Sequence, residues 1–252
     1  MKCNINNLLE FIKKATVRDM IDFVQINVSE NKISSSLISE KKDVVSVLSK
    51  ENNIFSQYGK NENPEFVLNW KEPTQNLIPY LKIFSGDELV DCQVKDQDII
   101  LKQGKIKTKI NQSIEDVRQI LKKKWDFQKF NFFYEFELTD EFKNDFSVIK
   151  RLAASFEKVY FTVENNKLFL ETFDSTNTFS NKLSIAQNDV NSDDLFLCFD
   201  FRAFLCLMDI LKTEERKYIF KMNYDTNYKA GMLFIFSEDN DEIFTLTSKR
   251  EL

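Results

Sequence analysis

The sequence predicts an α+β protein built from two similar domains, each with two helices packed on antiparallel sheets. Three observations carry this. The order strand, helix, strands, strand, helix, strands runs through residues 132–252, and the same order can be read across residues 1–112. Most apolar runs are short and alternating, whereas a few stretches repeat apolar residues at helical spacing. The chain has 252 residues, is 42% hydrophobic and holds only 4 Gly and 3 Pro, enough for a sizeable core in each of two halves. The expected division is residues 1–112, a connector at 113–131, and residues 132–252.

In the first half, Leu8, Phe11, Ile12 and Ala15 form a helical stripe over residues 7–16, with Asn6 or Asn7 as cap. Residues 23–28 alternate as a strand and turn at Asn31-Lys32 into residues 33–38. Residues 44–48 form another strand, 52–63 a polar loop and 66–68 a short strand. Asn76 caps a second helix over 77–85, with Pro79 in its first turn and Gly86 at its end. Strands at 89–94, 98–102 and 105–110 follow, the last two joined by a tight turn at Gln103-Gly104. In the connector, Ile114, Val117, Ile120 and Leu121 share one face, so residues 113–124 read as a helix with Ser113 as cap.

The second half is clearer. Trp125, Phe127 and Phe130 lead into a strand at 132–138. Asp140 caps a helix reaching Phe156, with Phe142, Phe146, Ile149, Leu152 and Phe156 on its apolar face. Strands at 159–163 and 168–173 meet at Asn165-Asn166, and residues 179–185 form another. A strand at 195–199 runs into Asp200, the cap of a helix carrying Phe201, Phe204, Leu205, Met208 and Leu211. Strands at 218–224, 231–236 and 243–247 close the order. Leu233-Phe234-Ile235-Phe236 is apolar throughout, as expected of a strand covered on both faces.

Several function classes find no support in these residues. The chain has no His, so Ser–His–Asp and Cys–His arrangements are impossible and the commonest metal ligand is missing. Cys3, Cys92, Cys198 and Cys206 lack metal-ligand spacing; Cys198 and Cys206 lie in apolar sequence and read as buried free thiols, which fits a reducing, cytoplasmic setting. Gly59, Gly86, Gly104 and Gly231 are too far apart for a phosphate-cradling loop. The acidic groups around Asp193 and Asp241 read as solvated turns. Neither a cofactor nor a metal is expected. The first apolar stretch is broken by Glu10, Lys13 and Lys14, so it does not read as a signal peptide, and no stretch is long enough to span a membrane. The net charge of −5 argues against a chain coated in base, but leaves room for a local basic face on an acidic body.

The layout resembles the sliding-clamp family, the DNA polymerase processivity factors, of the kind with two domains per subunit. The residues that carry the resemblance are Leu195-Phe196-Leu197-Cys198-Phe199 running into the helix at 200–211, then Lys217-Tyr218-Ile219-Phe220-Lys221-Met222. Ala230-Gly231-Met232-Leu233-Phe234-Ile235-Phe236 and Glu242-Ile243-Phe244-Thr245-Leu246-Thr247 complete the set. The resemblance implies a homotrimeric ring around double-stranded DNA, opened by a clamp loader and tethering a DNA polymerase, with helices lining the hole and no catalysis. It implies DNA-facing cations on the helices: Lys13, Lys14, Arg18, Lys82, Lys143, Lys150, Arg151, Arg202 and Lys212. It also implies a pocket for partner tails near the connector and the C-terminus, with Ile120, Leu121, Trp125, Leu246 and Leu252 as its candidates. Glu10, Asp145 and Asp209 interrupt the basic pattern. The AT-rich style of the sequence points to a virus and hence to a host cytoplasm. A monomeric or dimeric viral processivity factor of the same fold, a non-enzymatic interaction or virion protein, and a carboxylate–metal enzyme are the alternatives.

Overall fold

The structure is a computed structural model. It describes residues 1–18, 20–57, 65–69, 81–84, 86, 89–95, 98–111, 126–151, 156–165, 167–174, 180–186, 196–225 and 230–249. Two compact units are present, Met1–Lys124 and Trp125–Leu252. The expected connector helix at 113–124 lies outside the described residues, as does most of the expected helix at 77–85. Of the latter, Leu81 and Lys82 are helical, and the Phe84 N–H donates to the Leu81 carbonyl at 3.0 Å.

In the first unit, strands β1 (Lys2–Cys3), β5 (Phe55–Ser56), β7 (Val90–Lys95), β8 (Asp98–Gln103) and β9 (Ile106–Asn111) form an antiparallel sheet in the order β5-β1-β7-β8-β9. Neither β1 nor β5 is legible in the sequence, because two-residue strands carry no periodicity; residues 52–63 were expected to be loop throughout. Strands β2 (Phe23–Val28), β3 (Lys32–Ile38), β4 (Val44–Glu51) and β6 (Glu65–Asn69) lie in the order β4-β3-β2-β6. Helix α1 (Ile5–Ala15) packs against β3 and β4 and buries Leu8, Ile12 and Ala15. It starts two residues before its expected position because Asn4 is the cap: the Asn4 side chain accepts the Asn7 N–H at 3.1 Å. The β8–β9 hairpin turns at Gly104-Lys105, one residue after the expected place. Gly104 takes φ +57, the left-handed conformation a glycine-first two-residue turn needs.

In the second unit, β10 (Tyr134–Glu137), β15 (Tyr218–Asp225), β16 (Ala230–Ser237) and β17 (Glu242–Thr247) pair in that order. Strands β11 (Phe156–Glu164), β12 (Lys167–Asp174), β13 (Ser180–Ala186) and β14 (Phe196–Asp200) form a second antiparallel sheet, β13-β12-β11-β14. Helices α2 (Asp140–Lys150) and α3 (Phe201–Leu211) supply the apolar cover. Thr139, rather than Asp140, caps α2, its hydroxyl accepting the Phe142 N–H at 3.1 Å. The helix stops at Lys150, well short of Phe156, which opens β11 instead. Its place on the helical stripe was a coincidence of spacing.

The core of this unit is largely phenylalanine. Phe136 and Phe220 stack at 4.9 Å between ring centres, Phe142 lies 6.1 Å from Phe136, and Phe161 meets Phe204 at 5.6 Å. Each fully buried ring contributes about 1.5–3 kcal/mol of transfer free energy, and aromatic pairs add about 0.5–1.5 kcal/mol. The opposite face of β15–β16 is also covered: Phe127, Phe130 and Phe132 sit against Phe234, the closest pair 4.8 Å apart. This segment is the short 3-10 turn Phe127–Lys129 and the residues after it; the strand expected at 132–138 begins only at Tyr134.

Candidate nucleic-acid interface

Each helix owes its position to the sheet beneath it, and its cations fall where the apolar stripe does not. On α1, Lys13 is exposed near the C-terminal end. Lys14, one residue on, is only 5% exposed. A lysine so placed offers no accessible ammonium, and we omit it from the candidate surface. Arg18 is exposed and follows Val17 in a turn where both residues take positive φ, 48° and 61°. A β-branched residue rarely adopts that conformation; it is held here by a buried Val17 side chain and by the hydrogen bond from Arg18 N–H to the Lys13 carbonyl at 2.7 Å. Lys82 is exposed on its short helical stretch.

In the second unit α2 and α3 lie side by side. Phe146 meets Phe204 at 5.3 Å beneath them, and Lys150 forms an ion pair with Asp209 above. That pair brings the C-terminal ends of both helices together. Lys150, the exposed Arg151 and the exposed Lys212, one turn beyond Asp209, therefore gather at one end. Lys143 is drawn in toward Asp140 at 3.3 Å, its side chain 14% exposed. Cations at helix C-termini are stabilised by the helix dipole, so Lys13, Lys150 and Lys212 have a local reason for their positions. Arg202 has no such reason: it is exposed in the first turn of α3, where the dipole disfavours a cation by about 0.3–1 kcal/mol.

The start of α3 is well built. Asp200 accepts the Ala203 N–H at 3.1 Å and pairs with Lys249 at 2.7 Å. Burial pushes its carboxyl up, but the bonds from Lys249, Ala203 and Arg202 outweigh burial and hold it below the ordinary aspartate range. Lys249 escaped the sequence reading, because nothing in the chain order signals that it meets Asp200.

Of the expected partner-pocket residues, Ile120, Leu121, Trp125 and Leu252 lie outside the described residues. Leu246 is 2% exposed and pairs with Leu233 on the core face of the sheet. It is a packing residue, and its assignment to a pocket is corrected accordingly. Among the described residues no cluster of three or more His, Cys, Asp or Glu could hold a metal, and no helix is long and apolar enough to cross a membrane.

No protein-family model and no curated protein sequence matches the chain. Solved structures do. The DNA polymerase III beta chain of Streptococcus pneumoniae TIGR4 matches with TM-score 0.65 at 12% identity, over 100% of this chain and 64% of its own. The chain thus spans less than two thirds of that bacterial protein. Proliferating cellular nuclear antigen from Entamoeba histolytica matches with TM-score 0.66 at 12% identity, over 100% of this chain and 98% of its own. The A. fulgidus PCNA, solved with the C-terminal region of FEN-1 bound, matches with TM-score 0.64 at 13% identity over 97% of this chain and 95% of its own. The class is therefore settled at the level of architecture: a mixed α+β chain with antiparallel sheets. More particularly, it has the fold of the DNA sliding clamps along its whole length.

Proposed function

We propose that this protein is a DNA sliding clamp, a non-catalytic ring that encircles duplex DNA and tethers the replicative polymerase. The observation that carries the reading is the clamp fold across the full chain, with exposed cations on the helices of both units. Sliding requires contacts that are electrostatic, weak and blind to sequence, which lysine and arginine side chains on phosphate provide. Lys13, Arg18, Lys82, Lys150, Arg151, Arg202 and Lys212 are the proposed DNA-facing residues, with Lys143 behind them. Asp209 moderates the cluster by sharing Lys150.

In this reading three copies close the ring, each contributing its two domains. Strands β9 and β13 each pair on one side only among the described strands, and head-to-tail joining of β9 to β13 of the next copy would leave neither edge open. A clamp loader opens the ring, and partners dock short tails, as the FEN-1 C-terminal region does on the A. fulgidus protein. The setting is the cytoplasm, of a host cell if the source is viral.

The test is binding of the intact protein to a 30-base-pair duplex, followed by fluorescence anisotropy across a salt series. The quadruple variant K13Q/R151Q/R202Q/K212Q should bind at least about tenfold more weakly, with a shallower salt slope. Equal binding by parent and variant would remove the helices from the DNA-facing role.

A further inference from the structure

The solvent face of the sheet β1-β7-β8-β9 carries charge of a different kind from the helices. Register places side chains on this face in rows across the strands. One row reads Lys2, Asp91, Lys102, Lys107; Lys109 stands in the next, with Ile100, and Lys95 in the one after, with Asp98. The opposite face carries Cys3, Val90, Cys92, Ile99 and Leu101, all buried. The hairpin tip adds Lys105, so among the described residues this side of the sheet gathers six lysines against two aspartates in a chain whose net charge is −5. Lys95, Lys102, Lys105, Lys107 and Lys109 are all exposed.

Folding alone does not account for this row. Asp91 is paired with Lys2 at 2.7 Å and Asp98 with Lys109 at 2.7 Å. Lys102 and Lys107 stand directly opposite each other on neighbouring strands, where like charges destabilise a sheet. At Asp91 the hydrogen bond from Lys2 chiefly, opposed by desolvation and helped by the charges of Lys2, the N-terminus and Lys102, lowers the carboxyl pKa.

We propose that this sheet face is a second nucleic-acid contact, separate from the helices, that takes the phosphate backbone of a DNA strand. Three features select that occupant. The excess charge is positive and set in rows, with neighbours in a row about 4.8 Å apart, the spacing of paired strands, and successive rows about 6.7 Å apart, two residues along a strand. All six cations are lysine, a mobile point charge that meets a phosphate without fixing its orientation, as a contact blind to sequence requires. Among the described residues, β7, β8 and β9 present no aromatic side chain on which a base or an apolar peptide anchor could stack. The contact is therefore with backbone and is independent of sequence. Joining at the β9 edge would leave this face open, so it is compatible with a ring but does not depend on one.

The test uses the full chain and a fluorescent 30-nucleotide oligo-dT strand, read by anisotropy at several salt concentrations. K102E/K107E should weaken binding at least about tenfold and reduce the slope of log K against log salt by about 1.4, two phosphate contacts' worth for single strands. K102Q/K107Q should fall in the same direction by a smaller factor while unfolding at no lower temperature than the parent, since it removes a like-charge pair. Unchanged affinity in both variants would overturn the proposal. Displacement of the oligonucleotide by poly-glutamate at equal charge concentration would overturn the choice of occupant in favour of an acidic protein segment. The two surfaces separate in combination: K102E/K107E and K13Q/R151Q/R202Q/K212Q should each weaken oligo-dT binding, and together by about the product of the two factors, whereas a loss confined to the helix variant would overturn the proposal.

Discussion

In the second unit, β16 is packed on both faces, whereas β12, in the other sheet, is packed on one and β14 leaves one end open. On β16, Leu233 and Ile235 face the core while Phe234 and Phe236 lie under Phe127, Phe130 and Phe132. On β14, Leu197, Cys198 and Phe199 are buried, but Phe196 at its open end is 44% exposed beside Tyr160. The sequence difference is visible: an unbroken apolar run in one strand, and in β12 alternation of Leu168 and Leu170 with Phe169 and Glu171 in the other sheet. A covered strand cannot lose a side chain cheaply on either face, and a half-covered one can.

That contrast can be tested in order of effect. Phe161→Ala, in the core among Phe136, Phe199 and Phe204, should cost about 3–5 kcal/mol, read as a shift in denaturation midpoint. Phe234→Ala should approach the same loss, because its ring is 0% exposed beneath the 127–132 segment; a cost below about 1 kcal/mol would show that the segment does not cover it. Gly231→Ala tests the other face of the same strand. Its new Cβ would sit 2.2 Å from the Asn223 carbonyl oxygen and 2.7 Å from Leu197 Cδ2, so calorimetry should show a loss of about 1–3 kcal/mol.

Asp200→Ala should cost about 1 kcal/mol through the lost cap of α3. It carries a pH signature. The folded carboxyl sits below its ordinary value of 3.8, so its stabilisation is present above that value and is lost as pH falls through the folded one. The variant should therefore show a flatter acid limb in circular dichroism, and an unchanged limb would count against the Lys249 and Ala203 bonds. Phe196→Ala, at the exposed end of the comparison, should change the midpoint by less than about 1 kcal/mol.

Much of this architecture was legible from the chain. The Asp200 cap, the Asn165 turn at φ 49° and the doubly covered run in β16 rest on local rules that tertiary packing did not override. What was not legible depends on distant residues. Thr139 and Asp140 are equally good caps by type, and only the backbone path chooses Thr139. Phe156 fits a helical stripe yet pairs in a strand, and Leu246 could serve a pocket or the core until its register with Leu233 is known. For the candidate interface, residue type identified the cations but not their surroundings. Burial removed Lys14, Asp209 engaged Lys150, and the lysine rows of the β7–β9 sheet emerged only when the strands were set side by side.

The central claim, a sliding clamp, is most directly tested by the solution mass of the purified protein, measured by light scattering over a range of concentrations. The account predicts a species of three times the 29.8 kDa chain mass. A protein that remains a monomer at the highest concentration would contradict the closed ring.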